Sequence, residues 1–233
     1  SQTVTLMALS NRMLVWLSAD GSGWALHAAP LADDGTLAPM KLAPITFASQ
    51  GQSFGDSTLA RFISLWADGT SIAFTAIDSH GAMILERVDY GATKPLTYSF
   101  ITEALPNHSL AQPYVDGTTV YWVDKSIAAD GSMLGVLWQQ TGEAAATPLN
   151  LTGSAFSPVA VGGHLAWFQM SVPQTADDGI VAPLAGTVAV RQNDAATPQT
   201  VVSTPIDAAN VWRGPGYLMW RDGGGKVHTF QVG

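Results

Sequence analysis

Histidines at 27, 80, 108, 164 and 228 are the first side chains in this sequence that chemistry could use. No two of them stand four residues apart and HExxH does not occur, so none has the spacing of a helical metal site. Cysteine is absent, which removes thiol catalysis, Cys-based zinc sites and a disulfide framework together. ADDG (176–179) and AADG (128–131) carry the acidic turns of calcium loops without their spacing or closing Glu. Gly223-Gly224-Gly225 lacks the Lys-Ser/Thr that would make it a phosphate loop, and GxSxG does not occur. A glycoside hydrolase needs carboxylates set around the scissile bond. The inner-strand candidates, Asp68 and Asp116, fall in repeat-equivalent turns, and such recurrence marks turn chemistry. The residues therefore predict no catalytic group, no metal site and no cofactor.

Charge narrows the partners. Eighteen acidic residues against ten basic ones give a net charge of −8, and the basic residues are scattered singly. Nucleic acid and anionic membrane surfaces both need clustered Lys and Arg, so neither is expected. No run of 18 apolar residues exists to span a membrane as a helix. SQTVTLMAL (1–9) has neither the basic start nor the apolar length of a signal peptide, so the sequence reads as a mature chain. NHS (107–109) and NLT (150–152) would be glycan acceptors only in a eukaryotic secretory setting.

The elements that must position any site come in copies. NRMLVW (11–16), GTSIAF (69–74), GTTVYW (117–122), GGHLAW (162–167) and PGYLMW (215–220) each run from a turn to an aromatic. Those aromatics, Trp16, Phe74, Trp122, Trp167 and Trp220, lie 58, 48, 45 and 53 residues apart. Between them fall segments of 5–9 residues rich in β-branched and aromatic side chains, separated by Gly, Asp, Asn and Pro. Helical periodicity of useful length is missing. The period predicts an all-β fold, a β-propeller of five blades of mostly four antiparallel strands, in one domain over 1–233. Blades fall at roughly 3–45, 63–104, 112–151, 157–204 and 208–233, and the last lacks its outer strand. The closing aromatics should be blade-to-blade core.

WADGTSIAF (66–74) resembles the repeat of TolB-type, WD40-like bacterial propellers, where an Asp-Gly turn precedes an apolar triplet ending in an aromatic. VDGTTVYWVD (115–124) is similar to repeats of secreted bacterial propellers. The Pro that precedes Asp-Gly in TolB repeats is missing from every copy. The resemblance implies the fold and a periplasmic or extracellular bacterial setting.

Strand alternation then assigns two faces to the blades. Connections between blades and the loops between second and third strands share one face, and these are the long ones: 46–62, 106–112, 124–132 and 172–186. On that face the reading places Gln52, Asp56, Arg61, Asn107, His108, Asp177 and Asp178, with Trp66, Tyr114 and Trp212 near the channel mouth for stacking. One elaborated face without a catalytic constellation predicts a non-catalytic binding or scaffolding propeller that engages a protein partner. The alternatives are a carbohydrate-binding propeller and, behind it, a five-bladed glycoside hydrolase.

Overall fold

The structure, a computed structural model, describes residues 3–10, 13–20, 23–37, 40–44, 48–49, 52–53, 61–78, 80–91, 94–129, 131, 133–149, 153–170, 186–192, 199–203 and 206–233. Among them there is no helix. The chain is all-β, built of successive meanders whose strands follow sequence order. The first sheet holds β1 (Thr3–Ser10), β2 (Met13–Asp20), β3 (Gly23–Pro30) and β4 (Met40–Pro44), and a short ribbon of β5 (Ala48–Ser49) and β6 (Gln52–Ser53) follows. The second holds β7 (Arg61–Ala67), β8 (Ser71–Ile77), β9 (Met83–Gly91) and β10 (Lys94–Glu103). The third holds β11 (His108–Asp116), β12 (Thr119–Ile127), β13 (Met133–Thr141) and β14 (Thr147–Pro148). The fourth holds β15 (Ser154–Val161), β16 (His164–Met170), β17 (Gly186–Gln192) and β18 (Gln199–Ser203). The fifth has three strands among the described residues, β19 (Ile206–Gly214), β20 (Tyr217–Asp222) and β21 (Val227–Gln231).

Two compact units divide the chain: residues 1–106 with 113–120, and residues 107–112 with 121–233. In the first unit, one face of the second sheet packs on the first sheet. Phe62, Leu65, Ala67, Ile72, Phe74, Ala76, Ile84 and Val88 meet Ala8, Val15, Leu17 and Ala28 in a single apolar cluster. Strand alternation explains the membership, because Leu65 stands opposite Phe74 and Ala67 opposite Ile72. In the second unit, Phe168 sits between Phe156 at 5.3 Å and the edge of Trp220 at 6.0 Å. Burying a ring of this size contributes about 2–3 kcal/mol. Four of the five closing aromatics, Phe74, Trp122, Trp167 and Trp220, are buried. Trp16 is half-buried and stacks on His27 at 5.0 Å.

First strands share a kink. Pairing to the next strand slips between Val4 and Leu6, Phe62 and Ser64, Phe156 and Val159, and Ile206 and Val211. A bulge of this kind bends the strand and increases its twist. In β15 the slip spans Ser157 (φ 53), and one repeat earlier Gln112 in β11 is left-handed too (φ 52). At Gly135 a Cβ would come 2.4 Å from the carbonyl oxygen of Ala155, so only glycine lets β13 approach β15.

Three segments read from sequence as loops are partly strand. Arg61 begins β7 opposite Ile77, His108–Gln112 belong to β11, and Asp124–Ile127 continue β12. The physical reason is that a ladder is made by peptide N–H and C=O groups, so polar side chains at a strand end do not stop the pairing.

Candidate functional site

The turn between β7 and β8 shows what an Asp-Gly turn does here. Asp68 Oδ1 accepts from Thr70 N and Ser71 N, both at 2.7 Å, and from Thr70 Oγ1 at 3.1 Å. Its Oδ2 accepts from Gly117 N at 3.1 Å, one repeat along. A buried carboxylate holding three backbone donors is a structural anchor of its own turn and of the next copy's turn. Behind it, Trp66 stacks on Tyr114 with ring centroids 4.8 Å apart, and both rings are buried.

At the start of the third sheet the chemistry differs. Asn107 turns the chain with φ 65, which an Asn side chain tolerates, and delivers His108 as the first residue of β11. β12 (Thr119–Ile127) runs alongside in the same sheet and brings Asp124 to the imidazole. Nδ1 of His108 lies 2.9 Å from Asp124 Oδ1 and 3.0 Å from Oδ2. The carboxylate is acceptor-only, so Nδ1 is the donor and Nε2 is the ring nitrogen left facing away from it. The side chains are 29% and 16% exposed, enough to leave the imidazole open to solvent on one side. Next along β12, burial pulls the Lys125 ammonium below its usual range.

Two other His–Asp pairs are built differently. Asp222 holds the β20–β21 turn by accepting from Gly224 N and Lys226 N at 2.9 Å, and His228 Nε2 meets its other oxygen at 2.8 Å. The His228 contact leads in holding that carboxyl below the usual carboxylate range. Asp78 likewise caps a turn, with exposed His80 at 3.8 Å. At both places the carboxylate serves the turn. At Asp124 both oxygens serve the imidazole.

The kinked first strands of the second unit are tied together. Ser157 N donates to Gln112 Oε1 at 2.7 Å, and Arg213 donates to the carbonyls of Gln112 at 2.9 Å and Pro158 at 3.3 Å. Trp212, beside Arg213, is 44% exposed.

The structure brings His108 and Asn107 together on adjacent positions, and stacks Trp66 on Tyr114. Gln52 pairs with Ser49 in the short ribbon. Asp56, Asp177 and Asp178 lie outside the described residues. Sequence reasoning missed Asp124, which it took as loop. Its signal was a carboxylate in the second half of one strand beside a histidine at the start of its neighbour. Among the described residues no group of three or more His, Asp or Glu has the spacing of a metal site.

No family model matches the chain, and no curated protein does. Solved structures do. The chain is similar to the prolyl endopeptidases, at 14% identity and a TM-score of 0.51, covering 98% of its own length and 39% of theirs. It is similar also to the β-propeller domain of the Trilobed protease from Pyrococcus furiosus, at 7% identity and a TM-score of 0.49, covering 99% of itself and 70% of that chain. A third is the β-fructofuranosidase of Microbacterium saccharophilum K-1, at 12% identity and a TM-score of 0.44, covering 99% and 71%. The likeness is one of fold, of the β-propeller kind. It goes against the expectation of a non-catalytic scaffold with a protein partner, because the prolyl endopeptidases are enzymes. The error has a physical source. A propeller carries no motif that separates a scaffold from the propeller part of an enzyme, so missing catalytic motifs could not decide between them.

Proposed function

We propose that the chain is the β-propeller part of a hydrolase, its five sheets being five blades of one ring of TolB-like, WD40-like repeats, the last blade three-stranded. The end of the third sheet that carries Asn107, His108 and Asp124 is the end offered to substrate. The observation behind this reading is the His108–Asp124 pair, a half-exposed imidazole whose Nδ1 is held by both oxygens of one carboxylate. An imidazole oriented in this way is a general base: Nε2 takes a proton from water or a hydroxyl, and Asp124 stabilises the imidazolium that forms. The prolyl endopeptidases, of which the chain spans 39%, are studied for the role of inter-domain dynamics in catalysis and specificity. That supports placing this chain as one domain of such an enzyme.

Asp68 and Asp116 are not the pair for a glycosidase reading, since Asp68 is committed to its turn and to Gly117. The test is a turnover assay of the purified chain on a panel of chromogenic peptides and oligosaccharides. Hydrolysis of one class is expected, with kcat reduced at least 100-fold in His108→Ala and Asp124→Asn, which should melt as the parent does. No turnover on any substrate, or turnover indifferent to both changes, would overturn the reading.

A further inference from the structure

Glu86 on β9 is 1% exposed, and neither of its carboxyl oxygens has a hydrogen-bond partner. Register sets it directly between Phe74 on β8 and Phe100 on β10. Ile84 and Val88, two positions to either side, belong to the cluster through which the second sheet packs on the first, and Phe100 packs against that cluster. The carboxyl therefore stands on the sheet-to-sheet face, where ionisation would strip a charge of water with no donor in return.

The titratable residues around it are placed by alternation. Arg87 and Asp89 turn to the opposite face, where Arg87 Nε donates to Asp89 Oδ1 at 2.7 Å and Ser71 Oγ donates to it at 2.6 Å. Neither β8 nor β1 carries an ionisable side chain. His27 on β3 alternates with Ala28 of the cluster and meets Ser18 Oγ at 2.8 Å. Glu103, opposite Ile84, shares the face at its exposed end. Among the described side chains, no cation is placed to compensate Glu86.

We propose that Glu86 is a proton-operated latch on the packing of the first sheet against the second, closed when the carboxyl is neutral and released when it ionises. Burial pushes this carboxyl up from 4.5 to about 7. The sign follows from linkage. The unfolded chain gives up this proton first, so the face is at full strength below about 4.5, weakens as pH climbs and levels off above about 7. Across that window the equilibrium changes roughly 300-fold. Asp34 and Asp222 are held below their ordinary values by their hydrogen bonds, so what they contribute is lost only at lower pH and does not mask the effect.

The chain has three glutamates, Glu86, Glu103 and Glu143, and the other two are exposed, which makes the experiment direct. The intact protein, labelled with carbon-13 at the glutamate carboxyl, is titrated by NMR from pH 4 to 9. One resonance is expected to move near pH 7 and to survive Glu103→Gln. Over the same range, amides of β1, β2 and β7–β9 should open more often, corrected for intrinsic exchange, by up to roughly 300-fold. Glu86→Gln should remove both signals. If that variant does not fold, the parent's titration with the Glu103→Gln assignment still decides. Three glutamates all titrating near 4.5, or a midpoint near 7 without any change in opening of these strands, would overturn the latch.

Discussion

Two buried carboxyl groups lie eighteen residues apart in the first compact unit, and their surroundings are opposite. Asp68 sits in a turn and collects four donors, three of them peptide N–H groups. Glu86 sits mid-strand on a packed face and has none. Both are less than a tenth exposed. Depth alone therefore says nothing about whether a buried acid anchors a fold or threatens it. What decides is the supply of donors, which a turn offers through its own unpaired amides and a strand interior has already spent on its neighbours.

That contrast can be broken by substitution. The largest effect is expected for Asp68→Ala, which strands the amides of Thr70, Ser71 and Gly117 and should cost about 3–4 kcal/mol in a urea titration. Asp68→Asn should recover roughly half of this, because its carboxamide keeps an acceptor for the turn and turns an NH2 toward Gly117. Glu86→Gln inverts the sign with pH. Relative to the parent it should gain about 2–3 kcal/mol between pH 5 and pH 8, since the parent alone carries the cost of ionising there. A flat difference between parent and variant would remove the contrast. Smaller still, Ser154→Ala deprives the amide of Gly135 of its 2.6 Å acceptor and should cost about 1–2 kcal/mol. Least of all, His108→Ala should lower stability by under about 1 kcal/mol, a hydrogen bond at the water boundary being weak, while cutting turnover at least 100-fold.

Much of the architecture was legible in the sequence. The spaced aromatics mark the second strand of each sheet, and four of the five are buried. Turns of the Asp-Gly type were legible for the same reason, since a left-handed residue such as Gly117 (φ 57) narrows the choice of residue. Glu86 was not legible. In MILERVD (83–89) alternation puts it with Ile84 and Val88, but Leu85 on the other side is buried too. When both faces of a sheet are covered, period two no longer separates core from solvent. The His108–Asp124 pair was half legible. Its histidine and the preceding Asn107 were singled out, while its carboxylate hid in a stretch whose polar composition reads as loop. Arg61 was misplaced in the same way, its strand beginning two residues earlier than its composition suggests.

The ties from one copy to the next have a consequence for how such a chain can drift. Asp68 takes the amide of Gly117 and Gln112 takes the amide of Ser157, each partner one copy further on. In both, only the accepting side needs a particular side chain. The donating side offers a main-chain N–H that nineteen of the twenty amino acids possess. The donating position is then limited by its backbone, left-handed at both Gly117 (φ 57) and Ser157 (φ 53), and not by the chemistry of its side chain, so one copy can stay attached to the next while most of its side chains differ.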